Sequence, residues 1–140
     1  VRTAEVTTEG LASDKQKNRR HHGGPDKAVC LYSVERILAL QQEGHPIYAG
    51  ATGENLTVSG IDWEEMVVGS RWEIGRETVI EITSFAVPCK NIRHSFQDEA
   101  FTRIAEKLNP GWGRVYARVL AGGQISVGDS IRAAGGTSQL

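Results

Sequence analysis

Cysteine is nearly missing from this chain. Its 140 residues hold two, Cys30 and Cys89. Two cysteines 59 positions apart make no disulfide framework and no Cys-x-x-Cys metal spacing, so a reduced, cytoplasmic protein is the simplest expectation. Charge of one sign is missing too. Lys and Arg total 16 against 17 Asp and Glu, a net charge of -1. No global pull toward nucleic acid or a membrane surface follows from that balance. No apolar run approaches the length of a bilayer span, and no secretory signal pattern opens the sequence. The chain begins inside strand-like sequence at Val1, so an upstream segment is expected. Proline is sparse, at four, whereas glycine reaches 16, which points to many tight turns.

What is present reads as short strands. Val1–Val6 is β-branched, and Ala28–Tyr32 is a short apolar run expected to be a buried strand. Thr78–Phe85 alternates, with Val79, Glu81 and Thr83 on one side and Ile80, Ile82 and Ser84 on the other. Arg71–Gly75 and Arg114–Leu120 are further strands, the second followed by a Gly122-Gly123 turn. Two helices are expected. Ser33 caps the first, which carries Val34, Ile37, Leu38 and Gln41 on one face and stops at Gly44. Ser95 and Asp98 form a capping-box-like pair for the second, with Phe101, Ile104, Ala105 and Leu108 as its apolar face and Asn109-Pro110 as its end. The fold class is therefore mainly β with two or three short helices, as a closed or partly closed β-barrel. One domain over residues 1–132 is expected, followed by a flexible tail at 133–140.

Cys89 is the chemical focus. Pro88 cannot donate to a strand ladder, so it ends the Thr78–Phe85 strand and sets the cysteine on a stiff corner. Lys90, Arg93 and His94 follow within five residues. Positive neighbours favour the thiolate, which is both nucleophile and metal ligand. The competing reading is a small buried hydrophobe. Cys30, inside an apolar run, fits that role better.

Other constellations are less specific. Thr7–Gly24 is a long polar, basic loop that leads to His21-His22-Gly23-Gly24-Pro25-Asp26. The glycine amides with Arg19, Arg20 and the histidines suit an anion such as phosphate, or they form a solvated turn. A zinc site from His21, His22, Cys30 and Cys89 lacks the usual ligand spacing. A Cys–His hydrolase would pair Cys89 with His94, His21 or His22, with no spacing to fix the pair. Gly53-Glu54-Asn55-Leu56 is a structural turn or a place for a ligand-orienting amide. Gly111-Trp112-Gly113-Arg114 is a pocket wall with an anion clamp or a packing corner.

In order along the chain, Gly10-Leu11 with Asp14-Lys15-Gln16, His22-Gly23-Gly24-Pro25-Asp26-Lys27-Ala28-Val29, Gly53-Glu54-Asn55-Leu56, Val87-Pro88-Cys89-Lys90 and Gly111-Trp112-Gly113-Arg114-Val115-Tyr116-Ala117-Arg118-Val119-Leu120 resemble the MOSC domain family, named for the C-terminal domain of molybdenum cofactor sulfurase. The resemblance extends to Arg132 and is nearest to small stand-alone bacterial members. It implies a β-barrel-like fold and a molybdenum cofactor (molybdopterin). It implies that Cys89 is the signature cysteine, as metal ligand or persulfide carrier, with His22, Gly23, Gly24, Asp26, Asn55, Lys90 and Arg114 around the cofactor. Relatives reduce N-hydroxylated bases with electrons from a redox partner, or are fused to a pyridoxal-phosphate sulfurase. This chain has no room for that fused domain, so the resemblance implies a redox partner, or a desulfurase or sulfurase as sulfur donor, for a monomer or homodimer. A non-catalytic ligand-binding or sensing module is the alternative. It is motivated by Ala86, which stands where relatives often carry an arginine three residues before the cysteine.

Overall fold

A computed structural model describes residues 3–11 and 24–134. Among the described residues nine strands form two sheets: β1 (Thr3–Thr7), β2 (Gly10–Leu11), β3 (Val29–Ser33), β4 (Leu56–Val58), β5 (Arg71–Ile74), β6 (Thr78–Ala86), β7 (Arg114–Ala121), β8 (Gly123–Ser126) and β9 (Ile131–Ala133). The three-stranded sheet runs β2-β1-β8 and the six-stranded sheet β4-β3-β7-β6-β5-β9. One sheet curls through 243° and stays open, a half-barrel. The fold is mainly β with a partly closed barrel, as the strand pattern implied.

Two compact units divide the chain, and the division falls inside β3, after Val29, inside β6, after Ser84, and inside β7, after Val115. The first unit contains β1, β2, β5, β8 and β9. β1 pairs antiparallel with both neighbours, Val6↔Leu11 on one side and Val6↔Gly123 on the other. Gly10 is required here: its φ is +107, and a Cβ would lie 2.2 Å from the carbonyl oxygen of Ala28. β5 and β6 pair antiparallel from Arg71↔Glu81 to Ile74↔Thr78. The expected alternation appears directly, since Thr78, Ile80 and Ile82 are buried while Val79, Glu81 and Thr83 are half-buried. Val6, Leu11, Trp72, Ile74, Ile80, Ile82, Val119 and Ile125 form this unit's core. Ala133 lies in β9, and the amide of Ala134 donates to the Arg71 carbonyl at 2.9 Å.

The second unit is built on β3, whose five residues are all buried, as a continuous apolar run requires when both faces are covered. Ser33 ends β3 and caps α1 (Val34–Gln42), its Oγ accepting the amide of Arg36 at 3.1 Å. α1 buries Ile37 and Leu40, not Leu38, which is exposed. Gly44, with φ +101, follows the helix end. β4 then returns parallel to β3, Leu31↔Leu56 to Ser33↔Val58.

The second expected helix is not formed. Residues 90–104 make three successive 3-10 turns, Lys90–Ser95, Gln97–Glu99 and Phe101–Ile104. Asp98 and Glu99 sit in the left-handed region, φ 56 and 57, which breaks any helix started at Ser95. Phe96 and Ile104 are buried, whereas Leu108, expected on the apolar face, is 63% exposed.

Candidate functional site

β6 ends at Ala86, and Val87-Pro88 lead out of it to Cys89. Cys89 is a free, exposed cysteine in extended backbone, φ -136 and ψ 173, and begins the Lys90–Ser95 turn. The turn closes on the cysteine's own carbonyl, which accepts the amide of Ile92 at 3.1 Å. Arg93 Nη1 donates to the Lys90 carbonyl at 2.8 Å, and the amide of Phe96 donates to the Arg93 carbonyl at 3.1 Å. An accessible thiol thus heads a stiff turn whose next side chain, Lys90, is exposed and cationic. Val87, two residues earlier, is 84% exposed. Ala86 is buried at the end of β6, and its methyl group offers nothing to hold an anion.

Cys30 contrasts in every respect. It is buried in β3, and desolvation pushes its thiol up to about 12, against a smaller opposing pull from Arg114. The expectation of an inert Cys30 matches this placement.

Asn55, half-buried, and Arg114, buried, both lie in the second unit. The Asn55 amide donates to the Cys30 carbonyl at 2.8 Å, and its Oδ1 accepts the Cys30 amide at 2.7 Å. Asn55 therefore carries the β3–β4 ladder one step beyond β4 by using its side chain as a strand. Arg114 is 6% exposed and gives Nη1 to the Thr52 carbonyl at 2.5 Å. Its Nε is buried without a hydrogen-bond partner. Glu54, 7% exposed, accepts from the Gly50 amide at 2.7 Å, the Thr52 hydroxyl at 2.7 Å and the Thr57 hydroxyl at 3.2 Å. Thr52 thus joins a buried cation to a buried anion, a pairing that the sequence reading missed for Glu54.

The Gly111-Trp112-Gly113 segment is a packing corner, since every one of its backbone polar groups is bonded. Tyr32, Arg36 and Trp63 side chains donate to its three carbonyls at 2.6, 2.7 and 2.7 Å. Glu106 accepts the amides of Gly111 and Gly113 at 2.9 and 3.0 Å, and the Trp112 amide donates to the Asn109 carbonyl at 3.1 Å. The Trp112 ring lies between the guanidiniums of Arg36 and Arg103, 4.7 and 4.0 Å from its centroid.

In the first unit, Gly24 is exposed with φ +86 and precedes the 3-10 turn Pro25–Lys27. Asp26 pairs with Arg118 at 3.2 Å, and its carbonyl accepts from the Thr83 hydroxyl. Lys27 Nζ stands 5.3 Å from the Tyr116 ring centroid. His21, His22 and Gly23 lie outside the described residues, as do Lys15, Lys17, Arg19 and Arg20. Among the described residues no group of three or more His, Cys, Asp and Glu could hold a metal ion by itself.

The MOSC domain model matches residues 18–132, which include Cys89 and its turn. This chain belongs to the MOSC domain family. An uncharacterised protein, YflK of Bacillus subtilis, is 31% identical over 124 residues, which are 88% of this chain and 55% of YflK. Protein YiiM of Escherichia coli is 29% identical over 126 residues, 86% of this chain and 54% of YiiM. The crystal structure of YiiM from Escherichia coli matches with a TM-score of 0.74 at 22% identity, over 96% of this chain and 63% of that one, a likeness of fold. A protein of Gibberella moniliformis named a reductase is 30% identical over 115 residues, 79% of this chain and 20% of its own. The chain spans about half the length of YflK and YiiM.

Proposed function

We propose that this MOSC domain binds a molybdenum cofactor through Cys89 and takes part in the reduction of N-hydroxylated substrates. The observation that carries this reading is the exposed Cys89 thiol at the head of the Lys90–Ser95 turn, within the family match. The donor set fits the group. A thiolate is a soft metal ligand, and the exposed Lys90 ammonium beside it suits a cofactor that carries an anionic end. With alanine at position 86, that charge comes from after the cysteine rather than before it. Arg114, with an unpaired buried Nε, and Asn55 are proposed as cofactor contacts.

When bound, the cofactor would supply the two-electron couple that removes oxygen from an N-hydroxylated base. That reduction consumes two electrons and two protons and releases water, so a redox partner must deliver the electrons. The reductase relative is in keeping with such a role. An exposed free thiol suits a reducing compartment such as the cytoplasm.

Sulfur carriage is the second reading, favoured by the accessibility of the same thiol. The Cys89 thiolate would attack the outer sulfur of a donor's cysteine persulfide, forming the Cys89 persulfide and releasing the donor thiolate. Molybdenum and pterin content of protein from a cofactor-producing host, wild type beside Cys89→Ala, tests the leading reading. Stoichiometric cofactor in wild type and its loss in the variant are expected. A folded wild type without cofactor overturns it, and mass analysis for a persulfide on Cys89 then decides between sulfur carriage and a non-catalytic binding module.

A further inference from the structure

Arg114 opens β7 from a fixed stretch of backbone. The amide of Gly113, one residue earlier, donates to Glu106 at 3.0 Å, and the Gly113 carbonyl accepts from Trp63 Nε1 at 2.7 Å. The freedom that remains lies in the side chain. Its Nη1 donates to the Thr52 carbonyl at 2.5 Å, and its buried Nε has no partner. Among the described residues no ion pair reaches this guanidinium. A buried cation without a paired carboxylate is costly unless other groups hold it in place and offset its charge.

The loop before β4 does both. Glu54 is buried there and accepts three bonds: the Thr52 hydroxyl on Oε1 at 2.7 Å, and on Oε2 the Gly50 amide at 2.7 Å and the Thr57 hydroxyl at 3.2 Å. Thr52 is 2% exposed. It gives its hydroxyl to the anion and its carbonyl to the cation. The amides of Ala51 and Gly53 close on the Tyr48 and Gly50 carbonyls at 2.9 and 3.1 Å, which holds the chain on either side of Thr52. The Glu54 carboxylate holds Thr52 itself.

We infer that Glu54, acting through Thr52, is a positioning residue for Arg114, and that it keeps Nε as a free donor for an acceptor atom of a bound ligand. A guanidinium is planar and rigid. Held by its stem at one end and by the Thr52 carbonyl at Nη1, it cannot turn about its Nε bond without breaking the Nη1 contact. An orphan buried N–H costs stability, and a ligand acceptor at Nε removes that cost. With the carboxylate gone, Thr52 loses its anchor and the guanidinium is released to satisfy Nε elsewhere. That the ligand is the molybdenum cofactor rests on the function proposed above; the relay from Glu54 to Arg114 does not.

Solvent exchange of the Arg114 Nε proton, followed by NMR and assigned by its loss in Arg114→Lys, tests the relay in the whole chain without any cofactor. The Cys30 amide, bonded to Asn55 Oδ1 at 2.7 Å, reports on the frame around it. Thr52→Val keeps the carbonyl and the shape and removes the hydroxyl. Exchange at Nε is expected to rise about tenfold or more in Thr52→Val and in Glu54→Ala. Thr52→Ser, which keeps the hydroxyl, should stay within about twofold of wild type, as should the Cys30 amide in Thr52→Val. The double variant should exchange no faster than Glu54→Ala alone, because the two residues act in series. A wild-type rate at Nε in Thr52→Val overturns the relay, since the turn would then hold the carbonyl unaided. Equal acceleration at Nε and at the Cys30 amide in Thr52→Val also overturns it, as a general loosening. If Glu54→Ala does not fold, Thr52→Val against Thr52→Ser still decides. A relay confirmed in protein that takes up no cofactor would refute the proposed function alone, and a failed relay in protein that binds cofactor would refute only the relay.

Discussion

The two cysteines show how position, not residue type, sets reactivity. Cys89 is exposed at a turn, while Cys30 lies in a fully buried strand with its thiol pushed up to about 12. Near neutral pH the native protein should take one alkylating group fast, at Cys89, and the second at least about a hundredfold more slowly. Cys89→Ser should remove the fast phase and leave the slow one. Two equal rates, read by mass spectrometry over time, would contradict the assignment. The corner at Cys89 was legible in the sequence because Pro88 after an alternating strand leaves few alternatives. Glu54 was legible as a residue of a structural turn, and it accepts the Gly50 amide there, but its link through Thr52 to the buried Arg114 was not. The bond from the Gln97 amide to His45 was not legible either, because the two stand 52 positions apart and leave no local pattern.

At the scale of elements, strands that bury one face announced themselves. β6 alternates as its sequence does, and β3 is buried throughout as a short apolar run demands. Ser33 capped α1 as expected. The 95–108 segment failed because tertiary bonds outweigh its helical pattern. The Gln97 amide, which a helix would leave free for capping, goes to His45, and Asp98 and Glu99 take left-handed backbone. This difference is measurable. In left-handed backbone Glu99→Gly should be neutral or add up to about 1 kcal/mol of stability. In a helix the same change would cost about 1 kcal/mol. Urea unfolding of Glu99→Gly beside Glu99→Ala separates the two, because Ala gains nothing at a left-handed position.

For the whole molecule, buried titratable groups set the alkaline limit. Cys30 keeps its proton in the folded state up to about 12, whereas the unfolded chain loses it near 9.0. Between those values the native state binds more protons, so stability falls as pH rises, by about 1.4 kcal/mol per pH unit from this group. Burial also pushes the Tyr32 hydroxyl upward, which steepens the loss at the high end. Cys30→Ala should flatten the slope just above pH 9.0, measured by denaturant unfolding across that range. An unchanged slope in the variant would show that other groups set the limit.

The two units are threaded through one another along the chain: the first uses three separate stretches and the second two. During synthesis the second unit stays incomplete until Val115 has left the ribosome, and the first until β8 and β9 have followed. Buried strands such as β3 emerge long before β7, their partner in the sheet. A nascent chain of this topology therefore presents uncovered apolar strand to its surroundings until β7 arrives, and chaperones that shield it over that interval should raise its yield.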